Sequence, residues 1–278
     1  MPQSNCHTHT VFCDGKNTPE EMVLAAIDKG FSCLGFSFHS PMKDNAFWTI
    51  RPEKMPAYTA EIRRLQSIYG DQIEILHGIE LDSNYILVDP NDYDYVIASV
   101  HQLTDGTAFC DVDDTAQKLC TCCENWFGGD WLRLAESYYQ TLSDFVCRVQ
   151  PTVVGHFDLI EKFNENGALF DAADPRYQAI AKHHMDRILR QCPDVLFEVN
   201  TGAMYRCGKA QPYPAAFLLR HLAAQGGKVI ITSDAHTTDA LDFAFDRALQ
   251  LVKETGFSEV HALRRRDGKC CVETIALL

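Results

Sequence analysis

Short apolar, β-branched segments along this 278-residue chain repeatedly end in a His, Asp or Glu side chain, and this pattern constrains the fold more than any other feature. Five such segments lead into Phe38-His39-Ser40, Gly78-Ile79-Glu80, Ser99-Val100-His101, Gly155-His156-Phe157-Asp158 and Ser233-Asp234-Ala235-His236. Each segment is predicted to be a strand, so each ligand-type side chain is expected just past a strand end. The repetition indicates one site assembled from many strands.

A His-x-His pair near the N-terminus fits the same site. Residues 4–10 are predicted to form a strand, and the two-residue period of a strand places His7 and His9 on one face, where both imidazoles can reach one metal ion. Two nearby histidines in a short strand are more often surface or hydrogen-bonded core residues. The further ligand-type residues at the same rim favour the metal hypothesis.

Strands alternate with helices along the chain. Helices are predicted at about residues 18–29, 53–69, 131–149, 174–191, 212–225 and 240–254, the first of them capped by Thr18, Pro19 and Glu21. Seven strand-then-helix units predict a parallel sheet that forms a barrel one strand short of the common eight. The C-terminal tail is predicted to be a hairpin that turns at Arg266-Asp267-Gly268.

The chain length matches a single domain. An α/β barrel commonly takes about 250 residues, so we expect residues 1–278 to form one barrel domain. Residues 102–130 follow an active-site strand, lack a clear apolar period and are rich in Asp, Cys and Gly. An insertion in that position is predicted to form part of the rim of the site, or a lid over it.

Nine residues, taken in order, resemble the metal-binding set of the PHP (polymerase and histidinol phosphatase) superfamily. They are His7, His9, Asp14, His39, Glu80, His101, His156, Asp234 and His236. The resemblance extends from about residue 5 to about residue 240 and implies a distorted (β/α)7 TIM-like barrel. It also implies three metal ions, the first held by His7, His9, Glu80 and Asp234, the second by Glu80, His101 and His156, and the third by Asp14, His39 and His236.

The nitrogen and oxygen ligands suit zinc, manganese or iron. Two or three divalent ions are expected, because the site would keep a two-metal centre without Asp14. Closely spaced divalent ions lower the pKa of a bridging water and clamp the phosphate oxygens for in-line attack, so no protein nucleophile is required. Glu80 is expected to bridge two metals, and Asp14 and His236 are the candidates for the general acid that protonates the leaving alkoxide.

A second set of motifs resembles the histidinol phosphatases within the superfamily. These motifs are Glu198-Val199-Asn200-Thr201-Gly202 with Tyr205-Arg206 and Pro212-Tyr213-Pro214, and Gly155-His156-Phe157-Asp158-Leu159-Ile160 with a basic residue shortly after. The resemblance implies hydrolysis of L-histidinol phosphate to L-histidinol and phosphate in histidine biosynthesis, with Arg206 and Lys162 as the substrate-binding residues that hold the phosphate. Trp48 and Trp126 are candidates to cover the imidazole of the substrate, and Asp158 and Glu161 are candidates to recognise it.

Charge and composition argue against several other functions. The formal net charge of −13 disfavours a protein that holds long nucleic acids by their phosphates. The apolar runs fall far short of the roughly 18 residues that span a bilayer, and the N-terminus does not resemble a signal peptide. We therefore expect a cytoplasmic protein that binds neither nucleic acid nor membrane. The resemblance implies an enzyme that acts on a small phosphorylated substrate, and we expect a monomer or a small homo-oligomer.

The 12 cysteines are interpreted as reduced thiols. Neither Cys6 nor the cluster of Cys120, Cys122 and Cys123 has the paired spacing of a structural zinc knuckle. We expect the cluster to lie in a loop or at a helix end without a ligand, and a second metal site or redox sensitivity is the alternative.

Other functions remain open from the sequence. A different PHP phosphoesterase would act on another small phosphate ester, a phosphotyrosine or a short nucleotide end, and a broad groove with several exposed Lys and Arg residues would favour it. A non-catalytic, metal-stabilised module would tend to lack some ligands, whereas every expected position is filled here. An amidohydrolase barrel also starts with His-x-His, but it typically needs a metal-bridging Lys where this chain has Glu80.

Overall fold

A computed structural model describes residues 3–44, 46–266 and 268–277. In chain order, its strands are β1 (Gln3–Asn5), β2 (Phe31–His39), β3 (Glu74–Asp82), β4 (Tyr95–Ser99), β5 (Gln102–Thr104), β6 (Phe109–Asp111), β7 (Val153–Val154), β8 (Leu196–Asn200), β9 (Lys228–Thr232), β10 (Glu259–Arg266) and β11 (Lys269–Ala276). Its helices are α1 (Pro19–Asp28), α2 (Met55–Tyr69), α3 (Ala116–Phe127), α4 (Trp131–Val149), α5 (Pro175–Gln191), α6 (Gly202–Cys207), α7 (Ala216–Ala224) and α8 (Phe245–Glu254).

The main sheet is curled and mostly parallel. Its spatial order is β1-β2-β3-β4-β7-β8-β9-β10-β11, and the pairs from β1 to β9 are all parallel. A parallel bridge between Thr8 and Ala235 joins the chain after β1 to the chain after β9, where His9 N donates to Ala235 O at 2.8 Å. The predicted distorted (β/α)7 barrel is confirmed.

Tyr95 fills the interior of the sheet below the site. Its ring packs in a buried cluster of inward-facing residues, namely Cys6, Cys33, Leu76, Ile97, Val153, Leu196, Ile230 and Leu263. The Tyr95 hydroxyl donates to Cys6 O at 2.5 Å and approaches Phe36 O at 3.0 Å. These bonds satisfy a buried polar group and tie β4 to β2 and to the chain that follows β1.

Several predicted elements are confirmed, and others are displaced. Thr18 caps α1 in a capping box with Glu21, and the C-terminal hairpin forms, although Asp267 of its predicted turn lies outside the described residues. The predicted helix at 212–225 begins only at Ala216, because the segment before it is extended and bridges Asn200 through Tyr213. The predicted helix at 240–254 begins only at Phe245, and α6 was not predicted.

The insertion at residues 102–130 is more ordered than its sequence indicated. It contains the β5–β6 hairpin and the helix α3, which ends at Gly128 in the left-handed conformation that favours glycine. Cys110 and Cys122 form a disulfide that joins the hairpin to α3. The interpretation of all cysteines as reduced thiols is therefore wrong for this pair, whereas Cys120 and Cys123 are free thiols of α3.

No helix in the described ranges is long and apolar enough to cross a membrane.

His77 is a neutral histidine between α2 and the barrel, and its burial makes stability pH-dependent. Its ring stacks on Tyr93 with centroids 4.8 Å apart, and its Nε2 lies 3.2 Å from Thr59 Oγ1. Burial lowers its pKa from 6.5 to about 4, although Asp94 acts in the opposite direction. The unfolded chain therefore binds a proton at His77 below about pH 6.5, whereas the folded chain binds it only below about pH 4. The neutral, buried His77 thus contributes to the free energy of unfolding above pH 6.5, and this contribution is lost as the pH falls from 6.5 to 4.

Between pH 6.5 and pH 4, we expect the free energy of unfolding to decrease by about 1 to 3 kcal/mol less in His77→Gln than in the wild type. Urea denaturation at a series of pH values measures this slope, and His183→Gln on the exposed face of α5 is the control. Identical slopes in the wild type and His77→Gln would show that His77 is not the titrating group.

Candidate metal centre

All nine predicted ligand residues converge at the carboxyl edge of the parallel strands. His7 and His9 follow β1, Asp14 lies in the turn before α1, His39 and Glu80 lie near the ends of β2 and β3, and His101, His156, Asp234 and His236 follow β4, β7 and β9. Most of these side chains are buried. The fold therefore brings together the nine side chains that the resemblance assigns to the metal site.

Glu80 is the centre of the cluster. One carboxylate oxygen, Oε2, lies 2.8 Å from His39 Nδ1, 3.3 Å from His7 Nε2 and 3.5 Å from His9 Nε2. The other oxygen, Oε1, lies 3.0 Å from His156 Nε2 and 3.5 Å from His101 Nε2. A carboxylate that faces imidazoles on both oxygens has the geometry of a bridging ligand.

Asp14 and His236 form the outer part of the cluster. Asp14 Oδ2 lies 3.2 Å from His236 Nε2, and Asp14 Oδ1 lies 3.7 Å from His39 Nε2. One ligand atom from each of His9, Asp14, His39 and His236 falls within a sphere of metal-site size, with all mutual distances below 4.8 Å. His39 thus faces Asp14 with one ring nitrogen and Glu80 with the other.

Four buried atoms at the centre lie 2.8 to 3.5 Å from other ligand atoms, but none makes a hydrogen bond of acceptable geometry with the described residues: His7 Nε2, His9 Nε2, Glu80 Oε2 and Asp234 Oδ1. Buried polar atoms are normally hydrogen-bonded, so an unpaired group of this size requires an explanation. All four atoms belong to the ligand set that the resemblance assigns to one metal. Imidazole nitrogens and carboxylate oxygens are ligands of zinc, manganese and iron, so the donor set fits divalent ions of that kind.

Two carboxylates lie behind the ligands. The sequence analysis named Glu198 as part of a motif without assigning it this role, and it did not single out Asp82. Glu198 Oε1 lies 2.5 Å from His7 Nδ1, and Asp82 Oδ2 lies 3.2 Å from His101 Nδ1. A carboxylate at one ring nitrogen holds the proton there and leaves the lone pair of Nε2 free for a cation. The two-residue period of a strand was the available signal, since Asp82 follows Glu80 by two positions on the same face of β3.

The electrostatics of the cluster favour cation binding. Burial acts to raise the pKa of Glu80, but His39, His7 and His101 outweigh it and hold that pKa well below its usual range. Burial, with His236 and His39, lowers the pKa of His9 to about 3. The carboxylate is therefore ionised and the imidazole of His9 is neutral, and these are the forms that bind a metal ion.

Arg206 reaches the site from α6. Its Nη2 donates to Asp234 Oδ2 at 2.8 Å, and its Nη1 donates to Asp234 O and to His236 Nδ1, each at 2.7 Å. Gly202 permits this approach, because a Cβ atom there would lie 2.9 Å from Asp234 Cβ and 3.0 Å from Ser233 O. The glycine therefore allows α6 to pack directly against the strand end that carries Asp234.

Lys162 lines the same cavity, but it is already paired. Its Nζ donates to the backbone oxygen of Asp113 at 2.6 Å and lies 3.3 Å from Asp113 Oδ2. Burial opposes ionisation of Asp113, but Lys162, His101 and His156 outweigh it and lower the pKa of that carboxyl. The sequence analysis did not single out Asp113, which belongs to the insertion.

The ligands open onto a cavity of about 290 Å³. Its walls include Trp48, whose ring lies edge-on to His39 with centroids 4.8 Å apart, together with Arg206 and Lys162. Trp126 instead packs against the hydrophobic core from α3, outside this wall. Asp158 and Glu161 line a separate pocket rather than this cavity, so their recognition of the imidazole stays a prediction.

The sequence model of the PHP domain matches residues 5–202, which is most of the chain. The chain belongs to the PHP family. This membership confirms the resemblance that the nine ligand positions carry, and it agrees with the curled parallel sheet.

Two relatives of this PHP-family chain are named as histidinol-phosphatases. The chain is 30% identical over 260 residues to a probable histidinol-phosphatase of Deinococcus radiodurans, which covers 90% of the chain and 92% of the relative. It is 24% identical over 277 residues to the histidinol-phosphatase of Lactococcus lactis subsp. lactis, with 94% of each covered.

A solved PHP-family structure has the same fold. It is the histidinol phosphate phosphatase of Lactococcus lactis subsp. lactis complexed with zinc, L-histidinol and phosphate. The match has a TM-score of 0.62 and 22% sequence identity, and it covers 94% of this chain and 96% of the other.

Proposed function

We propose that this PHP-family protein is a metal-dependent phosphomonoesterase that hydrolyses L-histidinol phosphate to L-histidinol and phosphate. The observation that carries the proposal is the convergence of nine nitrogen and oxygen ligand residues, with Glu80 and other buried atoms that lack a hydrogen bond at their centre. The names of its relatives support the choice of substrate. The proposal places the reaction in histidine biosynthesis in the cytoplasm, within one barrel domain.

The ligand set would hold two or three divalent ions, of zinc, manganese or iron. His7, His9, Glu80 and Asp234 would hold one ion, Glu80 with His101 and His156 a second, and Asp14, His39 and His236 a third. Bound ions of this kind supply Lewis-acid activation of water and neutralise charge on the phosphoryl oxygens. Glu198 and Asp82 would keep His7 and His101 in the tautomer that binds through Nε2.

Arg206 and His236 would act on the two ends of the breaking bond. The Arg206 guanidinium lines the cavity and can bind two phosphate oxygens at once. His236 Nδ1 lies 2.7 Å from Arg206 Nη1 and 2.9 Å from Asp234 O, and His236 Nε2 lies 3.2 Å from Asp14 Oδ2. If only two ions bind and the third position stays unfilled, His236, with Asp14 as its partner, would be the general acid for the leaving alkoxide. Lys162 would assist with the phosphate only after it releases Asp113.

A panel of phosphate esters tests the choice of substrate. Phosphate release by the purified protein is measured from L-histidinol phosphate beside sugar phosphates, phosphotyrosine and nucleotides. We expect kcat/KM to be highest for L-histidinol phosphate by at least about a hundredfold, a ratio within reach of differential transition-state binding. A higher kcat/KM for phosphotyrosine or a nucleotide would keep the metal centre and reject the substrate.

A further inference from the structure

The insertion places negative charge in a cavity that is proposed to bind a phosphate ester. Asp111, Asp113 and Asp114 all line the cavity. Lys118 lies between two of them, with Nζ 3.0 Å from Asp111 Oδ2 and 2.7 Å from Asp114 Oδ2, and Lys162 pairs with the third. We call Asp111, Asp113 and Asp114 the acidic wall. Their three carboxylates, together with the ammonium groups of Lys118 and Lys162, have a net charge of −1.

We propose that Asp113 recognises an ammonium group on the organic part of the substrate, and that the enzyme thereby selects phosphate esters of amino alcohols. This inference rests on the proposed phosphomonoesterase function and names a residue that determines its specificity. A second binding site is not involved, because the carboxylate and the metal ligands share one cavity.

Charge repulsion explains why the acidic wall implies a cationic substrate. A phosphate monoester is a dianion, and carboxylates within a cavity of about 290 Å³ repel it at short range. A site for sugar phosphates or nucleotides would be expected to have neutral or basic walls. An ester that carries its own ammonium group offsets the repulsion, so the wall attracts that class of ester and disfavours the others.

Asp113 is better placed for this role than its two neighbours. Asp111 is held on both oxygens, by Gln102 Nε2 at 2.7 Å and by Lys118. Asp114 is exposed, and its carboxylate pairs with Lys118 at 2.7 Å. The shorter bond of Lys162 goes to the backbone oxygen of Asp113 rather than to its carboxylate. A substrate ammonium can therefore take over the carboxylate while Lys162 keeps its anchor on the main chain.

The position of Asp113 is fixed by its surroundings. Val112, next in the chain, is fully buried, and its N–H donates to His101 O at 2.9 Å. The Cys110–Cys122 disulfide ties the preceding strand to α3. A side chain presented from such a frame loses little conformational entropy when it binds a ligand, as a specificity residue requires.

Asp113→Asn tests the proposal with a pair of substrates. One substrate is L-histidinol phosphate, and the other is the same ester without its α-amino group. At pH 8 the imidazole is neutral and the amine is charged, so the pair differs by one positive charge. We expect kcat/KM for L-histidinol phosphate to fall by about tenfold to a hundredfold in Asp113→Asn, mainly through KM, and kcat/KM for the deamino ester to stay within about threefold.

Asp105→Asn is the matched control, because Asp105 belongs to the same insertion and its side chain bonds, among the described residues, only to residues 107 and 108 at the hairpin tip. It should leave both substrates unaffected. Equal losses on both esters in Asp113→Asn would overturn the proposal, since they would show that Asp113 only positions Lys162. An unchanged preference for the aminated ester would overturn it as well.

Calorimetric binding of L-histidinol separates this inference from the proposed function. We expect the Kd for L-histidinol to be at least about tenfold higher in Asp113→Asn than in the wild type. A wild-type protein that binds L-histidinol through Asp113 but releases no phosphate from its ester would reject the proposed function and keep the inference. If the wild type hydrolyses the ester but both proteins bind L-histidinol with equal affinity, the proposed function is kept and the inference is rejected.

Discussion

Glu80→Ala is expected to abolish phosphate release from L-histidinol phosphate while the protein stays folded. Five histidine nitrogens lie within 3.5 Å of the Glu80 carboxylate, so no other side chain can replace its contacts. Glu80 would hold the divalent ions with its negative charge, so its loss would weaken metal binding, and we expect kcat/KM to fall by at least about a thousandfold. We also expect the purified variant to contain less metal than the wild type.

Two further variants define the cause of that loss. Glu80→Gln keeps the shape of the side chain but removes its charge, and it should be nearly as inactive as Glu80→Ala. Glu254→Gln is the control and should be fully active, because Glu254 lies at the end of α8 and accepts a hydrogen bond from Gln250, away from the ligand cluster. Circular dichroism verifies that each variant is folded. Turnover like that of the wild type in Glu80→Ala would contradict the assignment of the site.

Gly78→Ala is expected to destabilise the barrel by about 3 kcal/mol, at the upper end of the usual cost of overpacking. A Cβ atom at Gly78 would lie 2.2 to 2.6 Å from three ring carbons of Tyr95. The Tyr95 ring cannot move away, because it is buried and its hydroxyl is hydrogen-bonded to Cys6 O and Phe36 O. Urea denaturation of the wild type and the variant measures the difference in the free energy of unfolding.

A double-mutant cycle with Tyr95→Leu identifies the contact responsible. Leucine removes most of the ring that the new methyl group would meet, so Gly78→Ala should cost much less in the Tyr95→Leu background than in the wild type. An equal cost in both backgrounds would show that the Tyr95 ring is not the obstacle.

The sequence was sufficient to predict residues that obey a local rule. Glu80, His101 and His156 each stand at the end of an apolar strand, and the carboxyl ends of parallel strands meet at one edge. The capping box at Thr18 and Glu21 is equally local and was confirmed. The fold class followed from the alternation of strands and helices together with the resemblance.

Contacts between distant segments could not be predicted in the same way. Glu198 lies inside an apolar strand, and its partner His7 is 191 positions away. Asp113 lies in an insertion without strand-end pattern, and the Cys110–Cys122 disulfide depends on how the hairpin packs against α3. Helix α7 begins late because Tyr213 is recruited to bridge Asn200, a tertiary contact that overrides the local helical pattern.

The most direct test of the metal-dependent phosphatase is a parallel measurement of bound metal and activity. Chelator-treated protein is titrated with zinc or manganese, and the ions bound per chain are measured together with phosphate release from L-histidinol phosphate. We predict no turnover in the stripped protein and a return of turnover as the second or third ion binds. Full turnover by protein shown to be free of metal would contradict the account.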